Sequence, residues 1–226
     1  MRKYKLTEEG IEHYGRTLYQ IEALRDFSDV KKGDKGGYIE KEENLSQEGD
    51  AWVSGNALVY GNAWVFGNAN VYGDARVFGN AEVSGDARVS GDAEVSGDAW
   101  VYGDAWVYGD ANVYGNAWVS GDAEVYGDAN VYGNAWVSGN ALVYGNAWVF
   151  GNANVYGDAR VSSGYCFAYK EEDWDITEVP SGDGVLLVMD YKPVENRHTI
   201  TIDGKDIEIS EESFNELKSK LLKGEK

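Results

Sequence analysis

Apolar and polar positions alternate with a six-residue period from residue 49 to residue 162. Each hexad reads Gly-[Asn/Asp]-Ala-x-Val-[Tyr/Ser/Phe], and 19 hexads follow one another with no residue inserted or deleted. Successive side chains of a strand point to opposite faces, so Ala and Val share one face and x lies on the other. The pattern predicts one short strand per hexad, with Ala and Val inside and x in solvent.

A Gly-[Asn/Asp] pair separates these predicted strands. Glycine adopts positive φ without a steric penalty, and Asn and Asp are the other residues that best tolerate the left-handed region. A six-residue unit with a turn at its end is too short for a helical repeat. We therefore predict an all-β solenoid in which every hexad forms one strand and one corner.

The hexads resemble those of left-handed parallel β-helices, in which three hexads form one triangular coil. This resemblance, and not the periodicity, implies the left-handed winding. With about 4.8 Å between coils, the repeat gives about six coils and a prism about 30 Å long. A flat coil of two hexads remains an alternative. Residues 49–77 and 133–161 are nearly identical at an offset of fourteen hexads, which is a whole number of two-hexad coils but not of three-hexad coils.

Residues 1–48 are predicted to form an N-terminal cap. Strands are expected at Lys3–Thr7 and Arg16–Leu24, on either side of a turn. Ile39 and Leu45 precede the first repeat alanine by two hexads and by one hexad, which assigns them to the Ala position of a degenerate first coil. Such a coil would cover the open edge of the solenoid, which otherwise invites end-to-end pairing.

Residues 163–226 are predicted to form a small α+β segment after the repeat. Val185–Met189 has the composition of a buried strand. Thr199–Ile202 and Lys205–Ile209 alternate apolar and polar residues around an Asp-Gly pair, which is a strong hairpin signal. Ser210 can cap a helix that carries one apolar face.

The first fifty residues carry a closer resemblance. The segments RKYKLT from Arg2, LRDFSDVKKGDKGGY from Leu24 and NLSQEGDAW from Asn44 are similar to the N-terminal module of YdcK-like proteins. These are bacterial and prophage hexapeptide-repeat proteins of the LpxA-like superfamily, and many are named as acyltransferases. The resemblance thus implies the left-handed solenoid and, through that name, acyl transfer.

Candidate chemistry is sparse. Enzymes of this superfamily generally use a catalytic histidine at a subunit cleft, whereas the repeat contains no histidine, no lysine and no extruded loop. His13 and His198 lie in opposite flanks and Cys166 follows the last hexad, so we interpret all three as ordinary surface or cap residues. We predict no catalytic residue, no cofactor and no metal site, and we favour a protein that is not an enzyme.

Charge and hydropathy exclude several classes of partner. The formal net charge is −19 with a pI near 4.4, which argues against direct binding to nucleic acid or to an anionic membrane surface. No apolar run approaches the roughly 20 residues of a membrane span, and no signal peptide is visible. A single cysteine fits a reducing compartment, and we expect a cytoplasmic protein.

In a coil of three hexads, x residues of every third hexad stack on one side, which predicts rows of like side chains on the outer surface. One row is a tryptophan ridge with members about 5 Å apart, and two rows of aspartates follow two corners. The ridge consists of Trp64, Trp100, Trp118 and Trp136, and the acidic rows consist of Asp74, Asp92, Asp110 and Asp128 on one corner and Asp86, Asp104 and Asp122 on another.

These rows predict a non-catalytic acidic scaffold that presents aromatic and carboxylate groups to a protein partner or to further copies of itself, including a trimer. A simpler interpretation is that stacked aromatics only stabilise the sheet and aspartates only maintain solubility. Three further functions stay open, namely an acyltransferase by resemblance, an acidic DNA mimic or counter-defence protein of prophage origin, and glycan binding by the tryptophan ridge.

Overall fold

A computed structural model describes residues 2–168 and three further strands, and it shows an all-β parallel solenoid. The N-terminal elements are β1 (Tyr4–His13), β2 (Arg16–Ala23), β3 (Lys35–Ile39) and a single 3-10 turn at Glu42–Asn44. After the repeat come β23 (Tyr165–Ala168), β24 (Val185–Val188), β25 (Arg197–Ile202) and β26 (Lys205–Ser210).

Each hexad contributes one strand that begins at its x position. The strands are β4 (Trp52–Val53), β5 (Leu58–Val59), β6 (Trp64–Val65), β7 (Asn70–Val71), β8 (Arg76–Val77), β9 (Glu82–Val83), β10 (Arg88–Val89), β11 (Glu94–Val95), β12 (Trp100–Val101), β13 (Trp106–Gly109), β14 (Asn112–Val113), β15 (Trp118–Val119), β16 (Glu124–Gly127), β17 (Asn130–Val131), β18 (Trp136–Val137), β19 (Leu142–Val143), β20 (Trp148–Gly151), β21 (Asn154–Val155) and β22 (Arg160–Val161).

Parallel pairing within the repeat joins each hexad to the third hexad after it. Val53 pairs with Val71, and Val71 pairs with Val89. Three hexads therefore form one coil, as predicted, and the two-sided alternative is wrong. The left-handed winding stays a prediction.

The three sides of the coil form three parallel sheets. The mixed face contains β3, β5, β8, β11, β14, β17, β20 and β23; the arginine face contains β4, β7, β10, β13, β16, β19 and β22; and the tryptophan face contains β6, β9, β12, β15, β18 and β21.

The solenoid has about seven coils, and the prediction of about six was too low. That prediction counted only the regular hexads, but the pairing extends beyond them at both ends. β3 pairs in parallel with β5, Leu45 pairs with Val65, and β20 pairs in parallel with β23. Segments outside the regular hexads therefore also form rungs, because each of them places an apolar residue in the interior and pairs its backbone with the neighbouring coil.

The interior consists of the repeat alanines and valines, as the alternation predicted. Each of these side chains is at most 1% exposed. Backbone hydrogen bonds join each coil to the next, for example from Trp52 N to Ala69 O at 2.9 Å and from Ser54 N to Val71 O at 2.9 Å. The carbonyl groups of the alanines and valines thus point toward the N-terminal end, so those of the first coil need donors from elsewhere.

The N-terminal cap supplies those donors. The buried ammonium of Lys3 donates to the carbonyl oxygen of Ala51 at 2.8 Å, and the amide of Asn44 donates to the carbonyl oxygen of Ala63 at 2.8 Å. The hydroxyl of Tyr4 donates to the carbonyl oxygen of Leu45 at 2.6 Å. Burial, together with the nearby charge of Arg25, lowers the pKa of Lys3 to about 8.

Two details of the cap differ from the predictions. Ile39 pairs with Val59, and Leu45 pairs with Val65, so both occupy the Val position and not the predicted Ala position. Two additional residues between Leu45 and Val53 cause this shift of register. Strand β1 also continues beyond Thr7 to His13, because its pairing with β2 resumes after a register shift at Gly10.

The C-terminal strand predictions are confirmed where the structure describes the residues. Val185–Val188 is a strand, parallel to β23, and β25 pairs with β26 in an antiparallel hairpin. The helix predicted after Ser210 lies outside the described residues. Within the described part of the chain, no helix is long and apolar enough to cross a membrane.

The corner glycines are the least replaceable positions of the coil. Gly103 has φ +74°, and a Cβ at this position would lie 3.0 Å from the backbone nitrogen of Gly121 in the next coil. Gly157 has φ +66°, but no described atom lies within 4 Å of a Cβ there. Substitutions at Gly103 and Gly157 therefore separate two destabilising effects, namely a side chain at positive φ and a close approach between coils.

We predict that Gly103→Ala lowers the free energy of unfolding by about 1–3 kcal/mol more than Gly157→Ala does. Both variants introduce a side chain at positive φ, but only Gly103→Ala pushes two backbones apart. Urea unfolding monitored by circular dichroism measures the difference. Equal losses for the two variants would contradict close backbone stacking at the corners.

Candidate functional site

The tryptophan face carries four of the exposed large apolar side chains of the described surface. The x residues of its strands pair in the predicted order, which is Trp64, Glu82, Trp100, Trp118, Trp136 and Asn154. The four indoles are 37–42% exposed, although other large apolar side chains are mostly covered. Trp100, Trp118 and Trp136 are therefore consecutive on one side of the prism, and Glu82 separates Trp64 from them. The role of the ridge in binding stays a prediction.

The orientation of the rings could not be read from the sequence. The rings of Trp100 and Trp118 are stacked, with centroids 5.2 Å apart and planes within 5°. Trp136 meets Trp118 edge-on at 5.7 Å and 70°, and Trp64 stacks on Phe66 at 4.0 Å. The facing ring surfaces of Trp100 and Trp118 therefore cover each other.

The indole N–H groups divide into two kinds. That of Trp136 donates to the hydroxyl oxygen of Ser120 at 3.2 Å, which fixes the tilt of this ring. Those of Trp100 and Trp118 have no acceptor within the described residues. The central pair of the ridge therefore combines partly exposed indoles with N–H donors that have no acceptor in the described part of the chain.

The predicted aspartate rows also lie where a coil of three hexads places them. Asp74, Asp92 and Asp110 follow one corner, each with its backbone N–H donating to the next coil at 2.9–3.0 Å. All seven predicted aspartates are exposed. We name the corner with Asp86, Asp104 and Asp122 the first acidic corner and the corner with Asp74, Asp92, Asp110 and Asp128 the second acidic corner.

The third corner differs, and sequence reasoning missed its significance. It carries Asn62, Asn80, Asp98, Asn116, Asn134 and Asn152, and we name it the asparagine corner. Its side-chain amides donate from one coil to the next, for example from Asn116 to Asn134 at 3.0 Å and from Asn134 to Asn152 at 2.9 Å. A comparison of the residue types at every third hexad could have found this ladder.

The hydrogen-bond ladder has a direction that distinguishes Asn from Asp. The amide of Asn68 donates to the carboxylate of Asp86 at 3.1 Å, and that of Asn140 donates to Asp158 at 2.9 Å. A carboxylate accepts such a hydrogen bond but cannot donate one to the next coil, because it has no N–H. Runs of aspartate therefore interrupt the ladder and place like charges about 5 Å apart.

Charge is divided unequally around the prism as a result. Nine of the ten repeat aspartates lie on the two acidic corners, which border the arginine face on either side. The asparagine corner has one aspartate and separates the mixed face from the tryptophan face. On the mixed face, Arg76 and Glu94 neutralise each other in an ion pair of 2.7 Å. The x row of the tryptophan face carries one charged side chain, Glu82.

The remaining candidate groups lie in the N-terminal cap, in β23 and in the C-terminal hairpin. Cys166 occupies the Val position of the last rung and is fully buried, which raises the pKa of its thiol to about 12. The ring of His13 lies edge-on to Tyr60 at 5.2 Å, and its buried Nε2 has no hydrogen-bond partner among the described residues. This geometry fits a weak N–H contact with the aromatic ring. His198 pairs with Ile209 in the C-terminal hairpin, far along the chain from His13.

Two shallow clefts lie beside the N-terminal cap. The larger, of about 650 Å³, lies between the loop carrying Asp29 and Asp34 and the arginine face at Trp52, Tyr72 and Arg88. The smaller, of about 330 Å³, adjoins Arg16 and Tyr60. No group of three or more His, Cys, Asp or Glu side chains in the described part of the chain is placed to hold a metal ion.

Fold and surface together define a parallel β-solenoid repeat protein with a capped N-terminal end. The family described as the YdcK beta solenoid repeat matches residues 51–67 and 135–151. A curated Escherichia coli (strain K12) protein named "Uncharacterized acetyltransferase YdcK" is 43% identical over 61 residues, which cover 24% of this chain and 19% of that relative. The predicted resemblance to YdcK-like repeat proteins is confirmed by these matches.

We predict that Asp104→Asn stabilises the protein by about 0.5–1.5 kcal/mol. The new amide donates to Asp122 in the geometry that Asn68 and Asp86 already show, and a repulsive charge is removed. Chemical unfolding at low and high salt measures the gain, which should shrink with salt because exposed charges are screened.

The reciprocal variant is Asn116→Asp, which removes the bond to Asn134 and should destabilise by a similar amount. A loss of stability in Asp104→Asn would show that the ladder contributes nothing to the fold.

Proposed function

We propose that the protein is a non-catalytic scaffold that binds another protein chain through the tryptophan face. The observation that supports this most strongly is the central pair of the ridge, Trp100 and Trp118, with partly exposed indoles and N–H donors that lack an acceptor among the described residues, in a row with one charge. Tryptophan is enriched where interfaces have their energetic centre. A contiguous exposed aromatic row is also rare on the surface of a protein that stays alone.

The internal duplication does not favour one face, because it places the same residues on different sides of the prism. Residues 49–77 recur as 133–161 with a single difference, Asp50 against Asn134. An offset of fourteen hexads rotates the copy onto other faces of a three-hexad coil. Trp64 on the tryptophan face thus corresponds to Trp148 on the mixed face. Trp100 and Trp118 lie outside both duplicated segments, so the duplication does not account for the central pair of the ridge.

The ring geometry favours protein over glycan as the partner. Sugars stack on the flat surface of an aromatic ring, but the facing surfaces of Trp100 and Trp118 already cover each other. Their edges and N–H groups suit backbone carbonyls and apolar side chains of a protein.

We predict that Trp100→Thr combined with Trp118→Thr weakens association by at least about tenfold in affinity, so that the partner is no longer retained. Threonine retains strand propensity, so the coil should persist. Affinity capture with the immobilised full chain, followed by mass spectrometry of the retained proteins, checks this.

Trp148→Thr is the matched control, because Trp148 occupies the same hexad position, is 37% exposed and lies on the mixed face. This variant should retain the same proteins as the wild type. Identical capture by all three proteins would remove the tryptophan face from the proposal.

Acyl transfer is a second candidate, favoured by the printed name of the Escherichia coli relative. If this chain shares that activity, acetyl-CoA should raise its melting temperature, and the larger cleft beside Arg88 is the place to test by Arg88→Ala. The scaffold proposal predicts no shift with acetyl-CoA for either protein. A shift that Arg88→Ala abolishes would favour the enzyme.

A further inference from the structure

We infer that the larger cleft beside the N-terminal cap binds a small zwitterion about 10 Å long, the length of an extended tripeptide. The cleft lies between the cap loop and the arginine face, apart from the tryptophan face, so this binding does not depend on the proposed scaffold function. Three features of the cleft lead to it: two unpaired charges of opposite sign, a buried donor without an acceptor, and the distance that a ligand has to span.

The two walls of the cleft carry opposite charges that are not neutralised within the described part of the chain. Arg88, on the arginine face, lies 5.9 Å from the ring of Trp106 and forms no ion pair with a described carboxylate. Asp29, in the cap loop, has no described cation as a partner. Lys35 also lines the cleft, but it is already paired with Glu22 at 3.2 Å. A ligand with a carboxylate for Arg88 and an ammonium for Asp29 satisfies both groups.

A buried donor without an acceptor lies in the lining of the cleft. Trp52 is 5% exposed, and its indole N–H has no acceptor among the described residues. Of the described side chains that are not exposed, the one enclosed polar atom without a partner is Nε2 of His13, so the N–H of Trp52 reaches the surface. The surface that Trp52 lines is this cleft. Because a buried indole N–H usually has a partner, this donor is available to a ligand oxygen.

The neighbouring polar groups suit a peptide backbone. The side-chain amide of Asn70 donates to the carbonyl oxygen of Asn68 at 3.0 Å, which leaves its own oxygen to accept a hydrogen bond. The hydroxyl groups of Ser54 and Tyr72 line the same cleft. The N–H of Trp52 matches a peptide carbonyl and the oxygen of Asn70 matches a peptide N–H, so a peptide satisfies both.

The repeat sets the length of the ligand. Trp52 pairs with Asn70 and Asn70 with Arg88, so Trp52 and Arg88 are two coils apart, which is about 10 Å. An extended chain advances about 3.4 Å per residue, so three residues cover this distance and a single amino acid does not. The cleft volume of about 650 Å³ lies in the range of small-molecule sites.

The turn that presents Asp29 is held in place by the cap. Phe27 and Val30 exchange two backbone hydrogen bonds, of 3.1 Å and 2.9 Å, and both side chains are buried. Phe27 also meets the ring of Trp52 at 5.3 Å. Ser28 has φ +45°, which is unfavourable for a residue with a Cβ and is found mostly where a loop has a function. The carboxylate of Asp29 is therefore presented by an anchored turn.

The charge of the whole chain selects a zwitterion over a simple anion. With a formal charge of −19, the protein repels an anion over a long range, and Asp29 and Asp34 would face that anion inside the cleft. A simple cation would leave Arg88 unpaired. A zwitterion has no net charge, so it is not repelled and can use both walls.

Titration of the isotope-labelled full chain with trialanine, observed by nuclear magnetic resonance, tests the inference. The indole N–H resonance of Trp52, assigned with Trp52→Phe, should shift to saturation with a dissociation constant of about 1 mM or less. N-acetyl-trialanine lacks the ammonium and trialanine amide lacks the carboxylate, so each should bind at least about tenfold more weakly. Free alanine should also bind more weakly, because it is too short to reach both charges.

Variants of the two charged groups locate the ligand. Arg88→Gln and Asp29→Asn should each weaken trialanine at least about tenfold. In Arg88→Gln, trialanine and its amide should bind equally, because the carboxylate has lost its partner. The matched controls are Arg160→Gln, an exposed arginine in the same row of the arginine face, and Asp110→Asn on the second acidic corner. Both should bind trialanine as the wild type does.

Three results would overturn the inference. They are a Trp52 resonance that does not move with trialanine up to about 10 mM, equal affinity for the free and capped peptides, and unchanged binding in both Arg88→Gln and Asp29→Asn. Displacement of trialanine by acetyl-CoA would also overturn it, because a polyanion should not enter beside Asp29 and Asp34. That result would favour acyl transfer at this cleft.

Discussion

The backbone stacking of the corner glycines is the constraint on which the rest of the structure depends. At Gly103 a Cβ would meet the backbone of Gly121 at 3.0 Å, and the same close approach recurs at most corners of the repeat. Only glycine allows both positive φ and this separation, so each hexad must turn at the same place. The coil thereby closes after three hexads, and the alanines and valines coincide in every rung.

Because each coil contains three hexads, residues three hexads apart at the x position or at a corner lie next to each other in a row. The neighbouring Trp100 and Trp118 become a stacked pair, and neighbouring asparagines become a hydrogen-bond ladder. Two neighbouring aspartates repel each other, and neither carboxylate can donate a hydrogen bond to the other. The surface of this protein is therefore determined one row at a time, and the concentration of nine aspartates on two corners leaves the asparagine corner almost neutral.

The architecture of the repeat could be predicted because its signal is repeated 19 times. The three-sided coil, the alanine and valine interior, the tryptophan ridge and the acidic rows all follow from a period, an alternation and a family resemblance.

The cap was less predictable, since Ile39 and Leu45 appear once each and two additional residues change their register. The burial of Lys3 against the first coil depends on tertiary contacts that no local pattern encodes. Ring orientation also could not be predicted, because Trp136 tilts toward Ser120 while Trp100 and Trp118 stay parallel.

The spacing of coils along the corner is the most direct test of this account. Spin labels at Asn62→Cys and Asn134→Cys, with Cys166→Val to remove the native thiol, report the distance between two positions of the asparagine corner that are twelve hexads apart. Valine is the residue that the repeat itself uses at the position of Cys166. Labelled chains diluted with unlabelled protein give the distance within one molecule by pulsed electron resonance. Four coils of three hexads predict about 19 Å between the labelled backbones, whereas six coils of two hexads would give about 29 Å and contradict the account.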